Sequence, residues 1–389
     1  MRVDCDVVIV GAGPAGLALA RSLRDCGLDI VMVERQPLAA LTEPRFDGRE
    51  IALTHGSVAI LKALDAWARL PAAEISPLRA ARVLNGGSPF ALDFDADGEG
   101  PLGWLVPNHC IRAALFDAVR GQAGLRILTG VGVVQARTGR AAAEVVLSDG
   151  VMLRTRLLVA ADSRLSALRD ALGIPAEINR LGRSMLVCRV RHPRPHDGIA
   201  TEWFDHHQTM AMLPLGEGIS SAVLTLPSAA IDRLMAMDDA ALDRELGARF
   251  GRSLGPIEVA GARAAYPLVT SWSRHFAATR AALIGDAAVG MHPVTAHGFN
   301  LGLRGQDLLA RLVRQAARRG RDPGATPLLR AYEHKHRAAC WPLYAGTNLL
   351  VRLYTDEAMP ARVMRHAGLR LGATLPFVRP GIRRVLMAR

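Results

Sequence analysis

Residues 6–16, which read Asp-Val-Val-Ile-Val-Gly-Ala-Gly-Pro-Ala-Gly, decide the fold of this 389-residue chain. The apolar run at residues 6–10 predicts a buried parallel strand, and residues 15–26 predict a helix because apolar side chains recur three and four positions apart. Residues 30–34 predict the next strand. Strand, helix and strand in this order form a βαβ unit, which predicts an α/β fold with a parallel sheet.

Three glycines at the turn of this unit form the pattern GxGxxG. Gly11 permits the tight turn, Gly13 lets the backbone approach a pyrophosphate, and Gly16 lets the helix pack closely on the strand. The helix N-terminus offers unpaired N–H groups and a partial positive charge to phosphates. Glu34, at the end of the second strand, is placed to accept hydrogen bonds from a ribose, and its charge disfavours a ribose phosphate. These residues predict a Rossmann-like site for FAD or NAD and do not choose between them.

The rest of the chain predicts an inserted second domain. Alternating apolar and polar residues across 178–272 predict an antiparallel sheet, with a hairpin turn at 216–218. The other elements that the pattern predicts are helices at 56–70, 111–122 and 300–319, and strands at 125–135, 143–147, 151–159, 185–190, 209–213, 219–226 and 281–284.

Composition narrows the function classes. The chain is half hydrophobic, which suits a globular protein with a substantial core, and it has a net charge of +12. Aromatic residues make up only 5%, and no zinc-finger spacing occurs, so we predict no nucleic-acid binding. Five widely spread cysteines fit neither a disulfide framework nor a metal site, which favours a reducing cytoplasm. We predict neither an export signal nor a membrane-spanning segment.

A second stretch, residues 283–300, chooses the cofactor. It reads Leu-Ile-Gly-Asp-Ala-Ala-Val-Gly-Met-His-Pro-Val-Thr-Ala-His-Gly-Phe-Asn and follows a predicted strand. Gly285 would let a cofactor chain lie against the backbone, and Asp286 is suited to accept hydrogen bonds from the hydroxyls of a ribityl chain. Gly298 precedes a helix predicted to begin near Asn300, whose dipole would stabilise the negative charge of reduced flavin by about 0.3–2 kcal/mol. The stretch therefore favours FAD.

This stretch resembles the "GD…P…GxGxN" segment of flavoprotein aromatic monooxygenases of the para-hydroxybenzoate hydroxylase class. The likeness extends over nearly the whole chain: residues 47–57 look like the early arginine segment of that class, 102–112 match its next segment, and 160–169 resemble its "GADGxxSxxR" motif. The resemblance implies that Arg49 lies near the FAD pyrophosphate and that Asn108 lies near the cofactor.

Within the class, the chain is most similar to the ubiquinone-biosynthesis hydroxylases. Residues 45–53, the "HGFNLGLR" at the start of the long helix and the ending at 375–387 carry that similarity. Residues 161–163 and 294–298 are most like the demethoxyubiquinol hydroxylase branch. The chain departs from its relatives at Ser163, where they have glycine, at Val289, where many have histidine, and at His297, where glutamine is frequent.

Motifs and resemblance together give the candidate site. The predicted FAD-binding residues are Gly11, Ala12, Gly13, Ala15, Gly16, Glu34, Arg35, Arg49, Asn108, Arg112, Val133, Asp162, Gly285, Asp286, Pro293, Gly298, Phe299 and Asn300. His297 is the one catalytic candidate, since the resemblance places it beside the flavin and an imidazole exchanges protons near neutral pH. The alternative is that His297 simply replaces glutamine as a packing or hydrogen-bonding residue.

The resemblance also implies the chemistry and the partners. It implies reduction of FAD by NAD(P)H, reaction with O₂, and transfer of one oxygen atom to the aromatic ring of a polyprenylated phenol or quinol in ubiquinone biosynthesis. The one GxGxxG that stands between a predicted strand and a predicted helix, at residues 11–16, suits either a nicotinamide donor that docks briefly or an external reductase. Three other activities remain open: hydroxylation of a soluble aromatic compound, FAD-dependent reduction of isoprenoid double bonds, and a non-catalytic role as a flavin-bearing assembly factor with other ubiquinone-biosynthesis proteins.

Histidine pairs invite a metal site, but their spacing does not support one. The pairs are His192 with His196, His206 with His207, and His334 with His336, and none comes with carboxylates or thiolates at established spacings. We therefore predict no metal. No GxSxG motif occurs, so a serine hydrolase is also unsupported.

The predicted fold class is α/β, with a Rossmann-like FAD-binding domain, an inserted antiparallel-sheet substrate domain and a C-terminal helical tail. We assign the FAD-binding domain to residues 1–177 and 276–325, the substrate domain to 178–275, and the tail to 326–389. From Arg330 onward the tail has eleven Arg or Lys against three acids, and an apolar stripe runs along residues 362–371. An interfacial helix and a solvated helix both fit. We expect a cytoplasmic protein, peripheral on the inner face of the cytoplasmic membrane if the first applies.

Overall fold

The computed structural model describes residues 4–86, 91–95, 100–205, 208–293 and 297–355. The strands are β1 (Cys5–Val10), β2 (Ile30–Glu34), β3 (Glu50–Leu53), β4 (Ser76–Leu78), β5 (Ala80–Asn85), β6 (Ala91–Asp95), β7 (Gly103–Pro107), β8 (Leu125–Thr129), β9 (Val133–Thr138), β10 (Ala143–Leu147), β11 (Met152–Ala160), β12 (Ala176–Arg191), β13 (Ile199–Asp205), β14 (Gln208–Pro214), β15 (Ile219–Pro227), β16 (Glu258–Val259), β17 (Ala264–Ser273), β18 (Ala277–Ala278), β19 (Ala281–Leu283) and β20 (Val289–Gly290). The helices are α1 (Pro14–Ser22), α2 (Ala39–Thr42), α3 (His55–Ala63), α4 (Asn108–Val119), α5 (Ala167–Ala171), α6 (Ser228–Met235), α7 (Asp239–Leu254), α8 (Gly298–Arg318) and α9 (Thr326–Thr355).

The first sheet contains the predicted βαβ unit. Its strands follow the order β18, β19, β11, β1, β2, β8, and the pairs from β19 to β8 are parallel. Residues 7–9 and 31–33 are at most 1% exposed, as expected of parallel strands covered on both faces. Helix α1 ends at Ser22, four residues before the predicted end, because Asp25 and Gly27 have positive φ angles of 59° and 67° that no helix tolerates.

Positive φ angles explain two further differences from prediction. The helix predicted at 56–70 ends at Ala63, and Asp65 beyond it has a φ of 58°. The single strand predicted at 125–135 is two strands, β8 and β9, because Gly130 between them has a φ of 75°. Local hydrophobic periodicity does not report such breaks.

The second sheet has nine strands and is almost entirely antiparallel, which confirms the antiparallel sheet predicted across residues 178–272. Its order is β20, β17, β12, β15, β14, β13, β5, β6, with β16 beside β12. The turn between β14 and β15 lies at 216–218, as predicted. Strands β5, β6 and β20 come from outside residues 178–275, and the pair β13 with β5 is parallel. Helices α6 and α7, which the sequence analysis did not predict, pack on one face of this sheet.

A small third sheet has the order β3, β7, β4, with β4 beside β14 of the second sheet and β3 beside α8. Helix α8, close to its predicted position, packs on α1, and α9 packs on α8. The predicted apolar stripe at 362–371 lies outside the described residues. Within the part of the chain that the structure describes, none of the helices combines the length and apolarity that crossing a bilayer requires.

Candidate functional site

The three glycines of the first turn differ in what surrounds them. A Cβ at Gly11, whose φ is 105°, would lie 2.5 Å from the carbonyl oxygen of Ala161, and one at Gly16 would lie 2.0 Å from that of Gly11. Both positions therefore require glycine for the protein's own packing. A Cβ at Gly13 would meet no protein atom within 4 Å. The protein itself does not need glycine at 13, which leaves close approach of a ligand as the physical reason.

The N-terminus of α1 opens onto that same space. Gly13 is its cap residue and supplies no side-chain hydrogen bond, Pro14 follows, and the first turn has no acidic residue. The first N–H groups of the helix are therefore available for an anion, and the helix dipole favours one. This arrangement fits the pyrophosphate of a dinucleotide.

Glu34 lies beside this turn, at the end of β2. Its Oε2 accepts a hydrogen bond from the N–H of Ala12 at 2.7 Å, and its Oε1 accepts one from the N–H of Gln36 at 2.8 Å. The carboxylate is thus held at the position predicted for ribose binding. Three more predicted residues lie near this strand end. Arg35 is exposed there, and the Arg112 guanidinium lies 3.5 Å from the Gln36 side-chain oxygen. Val133 begins β9, two residues after Val131, whose N–H donates to the carbonyl of Glu34 at 3.2 Å.

Two other strand ends converge on the glycine turn. Asp162 stands two residues after the end of β11, and its Cα lies 2.8 Å from the position of a Cβ on Gly11. Its Oδ1 accepts a hydrogen bond from the Ser166 hydroxyl at 2.5 Å. Gly285 follows β19 with a φ of 58°, and a Cβ on it would lie 3.0 Å from the Cβ of Ala15. The structure therefore brings the predicted residues Gly11, Ala15, Asp162 and Gly285 together.

Asp286 has a partner that sequence reasoning missed. Its Oδ2 accepts hydrogen bonds from Nη2 of Arg164 at 2.8 Å and from Nε at 3.2 Å, and Nη1 of Arg164 also donates to the carbonyl of Val269. Both side chains are about one-third exposed, at 33% for Arg164 and 39% for Asp286. The ion pair links the first sheet to β17 of the second. A ribityl contact of Asp286 stays a prediction.

Asp47 is a second missed residue, and it joins several predicted ones. Its carboxylate accepts hydrogen bonds from Nη2 of Arg49 at 2.6 Å and from Nδ2 of Asn108 at 2.8 Å, while its carbonyl accepts one from the Tyr266 hydroxyl at 2.6 Å. The Arg49 guanidinium also lies 5.3 Å from the centre of the Tyr266 ring. Burial alone would raise the pKa of Asp47, but the bonds from Arg49 and Asn108 outweigh burial and lower it.

A local sequence signal exists for Asp47 and none exists for Tyr266. Asp47 stands two positions before Arg49 in the quoted arginine segment, so its pairing could have been proposed. Tyr266 is 219 positions from Asp47, and only the folded sheets bring the two together.

Asn300 fixes the start of α8. Its Oδ1 accepts hydrogen bonds from the N–H of Thr54 at 3.1 Å and from the hydroxyl of Ser57 at 2.6 Å, and its Nδ2 donates to the carbonyl of Ala52 at 2.8 Å. These contacts tie the helix to β3 and α3. They give Asn300 a structural role, while its predicted contact with FAD stays a prediction.

His297 is the cap residue of α8 and is 9% exposed, with Gly298 and Phe299 forming the first turn. Pro293 lies before the segment 294–296, which is outside the described residues. His292 is also buried, and burial together with Arg183 and Arg164 lowers its pKa to about 4, so its imidazole is neutral at pH 7. Val289, one of the departures from the relatives, is 3% exposed and pairs with Trp272, which makes it a packing residue.

The residues present fit FAD. An open cradle above Gly13, an uncapped helix N-terminus and a carboxylate at the end of β2 suit the adenosine and pyrophosphate. The start of α8 and the cluster around Asp47 form a second polar region between the sheets, as a flavin ring would need.

The paired histidines have other contacts where the structure describes them. His192 interacts with the carbonyl of Arg194 and the hydroxyl of Ser220, and its ring lies 5.8 Å from that of His196. His336 is buried against Tyr332 and Phe276. His206 and His207 lie outside the described residues. Across the ranges that the structure covers, no three His, Cys, Asp or Glu side chains form a group that would hold a metal ion.

Comparisons with known proteins agree with this geometry. A family model described as FAD binding domain matches residues 4–347. Ubiquinone hydroxylase UbiM of Neisseria meningitidis is 43% identical over 382 residues, which cover 97% of this chain and 83% of that protein. The 3-demethoxyubiquinol 3-hydroxylase of Escherichia coli is 26% identical over 366 residues, which cover 94% of this chain and 93% of that protein.

Among solved structures, the p-nitrophenol 4-monooxygenase PnpA from Pseudomonas putida is similar to this chain with a TM-score of 0.74 and 19% identity, covering 100% of this chain and 99% of that one. An identity this low shows the fold alone.

Proposed function

The chain belongs to the FAD binding domain family and is an FAD-dependent monooxygenase, and from that premise we propose that it hydroxylates the aromatic ring of a polyprenylated phenol or quinol in ubiquinone biosynthesis. The observation that carries the proposal is the 43% identity to ubiquinone hydroxylase UbiM over 97% of the chain. The conjunction of a dinucleotide cradle with a second polar region between two sheets supports it.

The residues of this chain divide the work of the reaction. FAD, when bound, supplies the redox chemistry and the activation of O₂ that a hydroxylation requires. The N-terminus of α1 would hold the pyrophosphate, and Glu34 the ribose. The hydrogen bonds from Arg49 and Tyr266 to Asp47 fix the loop between the two sheets. The buried start of α8 would orient the flavin ring and exclude water. The side chains thus bind, orient and enclose, and few need to transfer protons.

The electron donor is NAD(P)H in this proposal. The GxGxxG at residues 11–16 joins β1 to α1, and Glu34 occupies the ribose position of that motif, so a nicotinamide donor would bind elsewhere and briefly. Stopped-flow reduction of the FAD-loaded protein by NADH and by NADPH tests this. Reduction only in the presence of an added reductase would refute direct transfer.

We propose demethoxyubiquinol as the substrate within the pathway, as the motifs at 161–163 and 294–298 predict. Quinone profiling of a deletion strain tests both the role in ubiquinone biosynthesis and the substrate within that pathway, because the intermediate that accumulates identifies the missing hydroxylation. Accumulation of demethoxyubiquinone, reversed by this chain, would support the assignment. Accumulation of an earlier phenol would move the reaction to another ring carbon, and an unchanged ubiquinone pool would refute the function.

Docking on the inner face of the cytoplasmic membrane completes the proposal, since a polyprenylated substrate resides in lipid. On α9, Trp341 is 55% and Leu349 68% exposed. A groove of about 660 Å³ beside Trp341 is lined mainly by cationic and aromatic side chains, including Arg274, Arg330 and Arg337. Exposed apolar side chains next to cations are typical of interfacial surfaces. The basic residues beyond 355 continue this charge in the sequence.

Vesicle co-sedimentation tests the docking. We expect the protein to bind vesicles containing phosphatidylglycerol at low salt and to be released at high salt. Leu349→Glu should weaken binding, whereas the control Met152→Glu, at a site 57% exposed in β11, should leave it unchanged. Equal binding of both variants, or no binding of the natural chain at low salt, would refute the docking surface.

A further inference from the structure

One face of the second sheet is directed toward the candidate flavin site. On that face, the Val187 side chain lies 2.9 Å from the position of a Cβ on Gly48, and the Tyr266 hydroxyl donates to the carbonyl of Asp47. The opposite face packs on α6 and α7, where the ring of Trp203 lies 6.1 Å from that of Phe250. Residues that alternate with Trp203 along β13 therefore face the flavin side.

Glu202 is such a residue, and it belongs to a row of side chains that crosses the sheet. Directly paired residues of neighbouring strands point to the same face. The register places in one row Ala264, Val187, Val223, Ala211, Glu202, Val83 and Leu92. Six of the seven members are apolar and uncharged. The row reaches the loop at Gly48 through Val187 and presents a carboxyl group three strands away, at roughly 14 Å for strands about 4.8 Å apart.

The side chains that flank this row bring no counter-charge to Glu202. One flanking row contains Tyr266, Met185, Thr225, Thr209, Phe204 and Asn85, and the other contains Arg189, Ser221, Leu213, Ala200, Ala81 and Phe94. Arg189 is the charged member, and it is already bonded to Glu50 at 3.0 Å and to Glu74 at 2.7 Å. Within the described residues, Glu202 has neither a hydrogen bond nor an ion pair, and burial alone raises its pKa to about 8.

Glu202 is nevertheless accessible. The protein surrounds its side chain, yet the residue is half-buried and retains accessible surface. Its row neighbours on β14 and β15 are the short side chains of Ala211 and Val223, and an apolar cluster of Leu92, Phe94 and Leu102 lies on its other side. An accessible carboxyl group among short and apolar side chains suits an aromatic ring that has a hydroxyl and a hydrocarbon chain.

We propose that Glu202 is the catalytic base that binds the phenolic hydroxyl of the substrate and accepts its proton, an inference that rests on the proposed function. The O–H bond of the phenol breaks, the proton passes to the Glu202 carboxylate, and the electron pair stays on the phenolate oxygen. No oxidant or reductant is involved in this step. The phenolate ring is richer in electrons than the phenol, which favours electrophilic hydroxylation at a ring carbon.

The environment of Glu202 suits this task. A base works best when its pKa lies near the working pH, and a carboxyl in water is far too acidic for that. Burial without a partner moves this carboxyl into the range, with Tyr266 from β17 and Arg189 from β12 as the titratable or charged members of the two flanking rows. Accepting a hydrogen bond from the phenol would also supply the partner that Glu202 lacks.

Binding measurements test the proposal without turnover. The FAD-loaded, oxidised protein is titrated with 2-farnesylphenol from about pH 6 to about pH 9, where the phenol itself stays neutral. We expect the Kd to fall about tenfold as Glu202 ionises, because a carboxylate accepts a stronger hydrogen bond than a carboxylic acid offers. The control Glu217→Gln, in the exposed turn of the same sheet, should behave like the natural chain. Glu202→Gln should bind FAD normally and show no pH dependence for the phenol.

Turnover provides the second measurement. Glu202→Gln should lower kcat for hydroxylation at least about 100-fold and remove the rise of activity toward pH 8, and Glu202→Asp should restore part of both. An unchanged Kd profile and kcat in Glu202→Gln would overturn the proposal, and activity that falls through the same pH range would overturn the role as base. If the natural chain binds the phenol with the expected pH dependence but hydroxylates no prenylated phenol, the proposed function fails while the binding role of Glu202 stands.

Discussion

Replacing Gly13 with alanine separates the needs of the fold from those of the cofactor. Gly13 has φ −72° and ψ 176°, which alanine adopts without strain, and a Cβ there would meet no protein atom within 4 Å. The expected loss is that of glycine as a helix cap, about 1 kcal/mol or less. For the apoprotein this is a fall in Tm of about 2 °C or less.

FAD binding should respond differently. The new methyl group would stand in front of the uncapped N-terminus of α1, where a phosphate would accept hydrogen bonds from N–H groups. Each hydrogen bond to a charged group contributes about 1.5–3 kcal/mol, so the loss of one raises the Kd for FAD about 10- to 150-fold. Fluorescence titration of the apoprotein with FAD measures this value, and thermal unfolding of the apoprotein measures the stability.

Two further glycine variants serve as controls for Gly13→Ala. Gly16→Ala should destabilise the apoprotein by several kcal/mol, because its Cβ would lie 2.0 Å from the backbone oxygen of Gly11. Gly247→Ala, in an open position of α7, should raise stability by about 0.5–1 kcal/mol and leave FAD binding unchanged. Normal FAD affinity in Gly13→Ala, or a loss of stability as large as that of Gly16→Ala, would refute the reasoning.

Three other substitutions test separate parts of the site. Asn300→Ala removes three hydrogen bonds between α8 and the β3–α3 region and should lower the apoprotein's unfolding free energy by about 2–4 kcal/mol, whereas a contact with FAD alone would leave the apoprotein unchanged. Burial raises the pKa of Glu50 to about 7 despite Arg189, so the folded protein binds a proton at Glu50 more tightly than the unfolded chain does. The contribution of Glu50 to the free energy of unfolding should therefore fall by about 3 kcal/mol between pH 4.5 and pH 7. Chemical denaturation across that range should show this fall in the natural chain and not in Glu50→Gln. His297→Gln should lower coupled hydroxylation more than FAD affinity, and unchanged turnover would remove His297 from the mechanism.

The nucleotide turn was predictable because its determinants are local. The strand, the three glycines and the helix lie within residues 5–22. Gly11 and Gly16 avoid clashes with the protein's own backbone, Gly13 leaves space for a ligand, and the pattern contains all three. Glu34, the acid predicted to bind the ribose, was also locally predictable because it stands at the end of the next strand. Element ends were less predictable, since a positive φ at Asp25 or Asp65 ends a helix without any change in hydrophobic periodicity.

The contacts between the sheets were not predictable from spacing. Arg164 and Asp286 are 122 positions apart, and Tyr266 and Asp47 are 219 apart. Neither pair leaves a local pattern, because the pairing depends on which strands the two sheets place opposite one another. Helix α7 was missed for a different reason: its apolar face, with Leu242, Leu246 and Phe250, is diluted by charged residues in a region where alternation dominated.

Three carboxyl groups near the site show how partners decide function. Asp47 accepts hydrogen bonds from Arg49 and Asn108, and its pKa falls despite burial. Glu50 is completely buried and shares Arg189 with Glu74, and its pKa rises to about 7. Glu202 has no partner among the described residues, and its pKa rises to about 8. The pKa shifts rise from Asp47 through Glu50 to Glu202 as the number of hydrogen-bond donors at each carboxylate falls, because desolvation raises the pKa and donated hydrogen bonds lower it.

That order also separates the roles. A carboxylate that is saturated with donors stays ionised and serves as an anchor, which is how Asp47 holds Arg49 and Asn108 in place. A carboxyl without donors is costly to bury, so it stabilises the fold least and gains most from a ligand that donates a hydrogen bond. Glu202 stands on the substrate-domain sheet, on the face turned toward the flavin side. The least satisfied of these three acids therefore stands where a phenol would satisfy it, and a substrate without a hydroxyl should lose most of its affinity there.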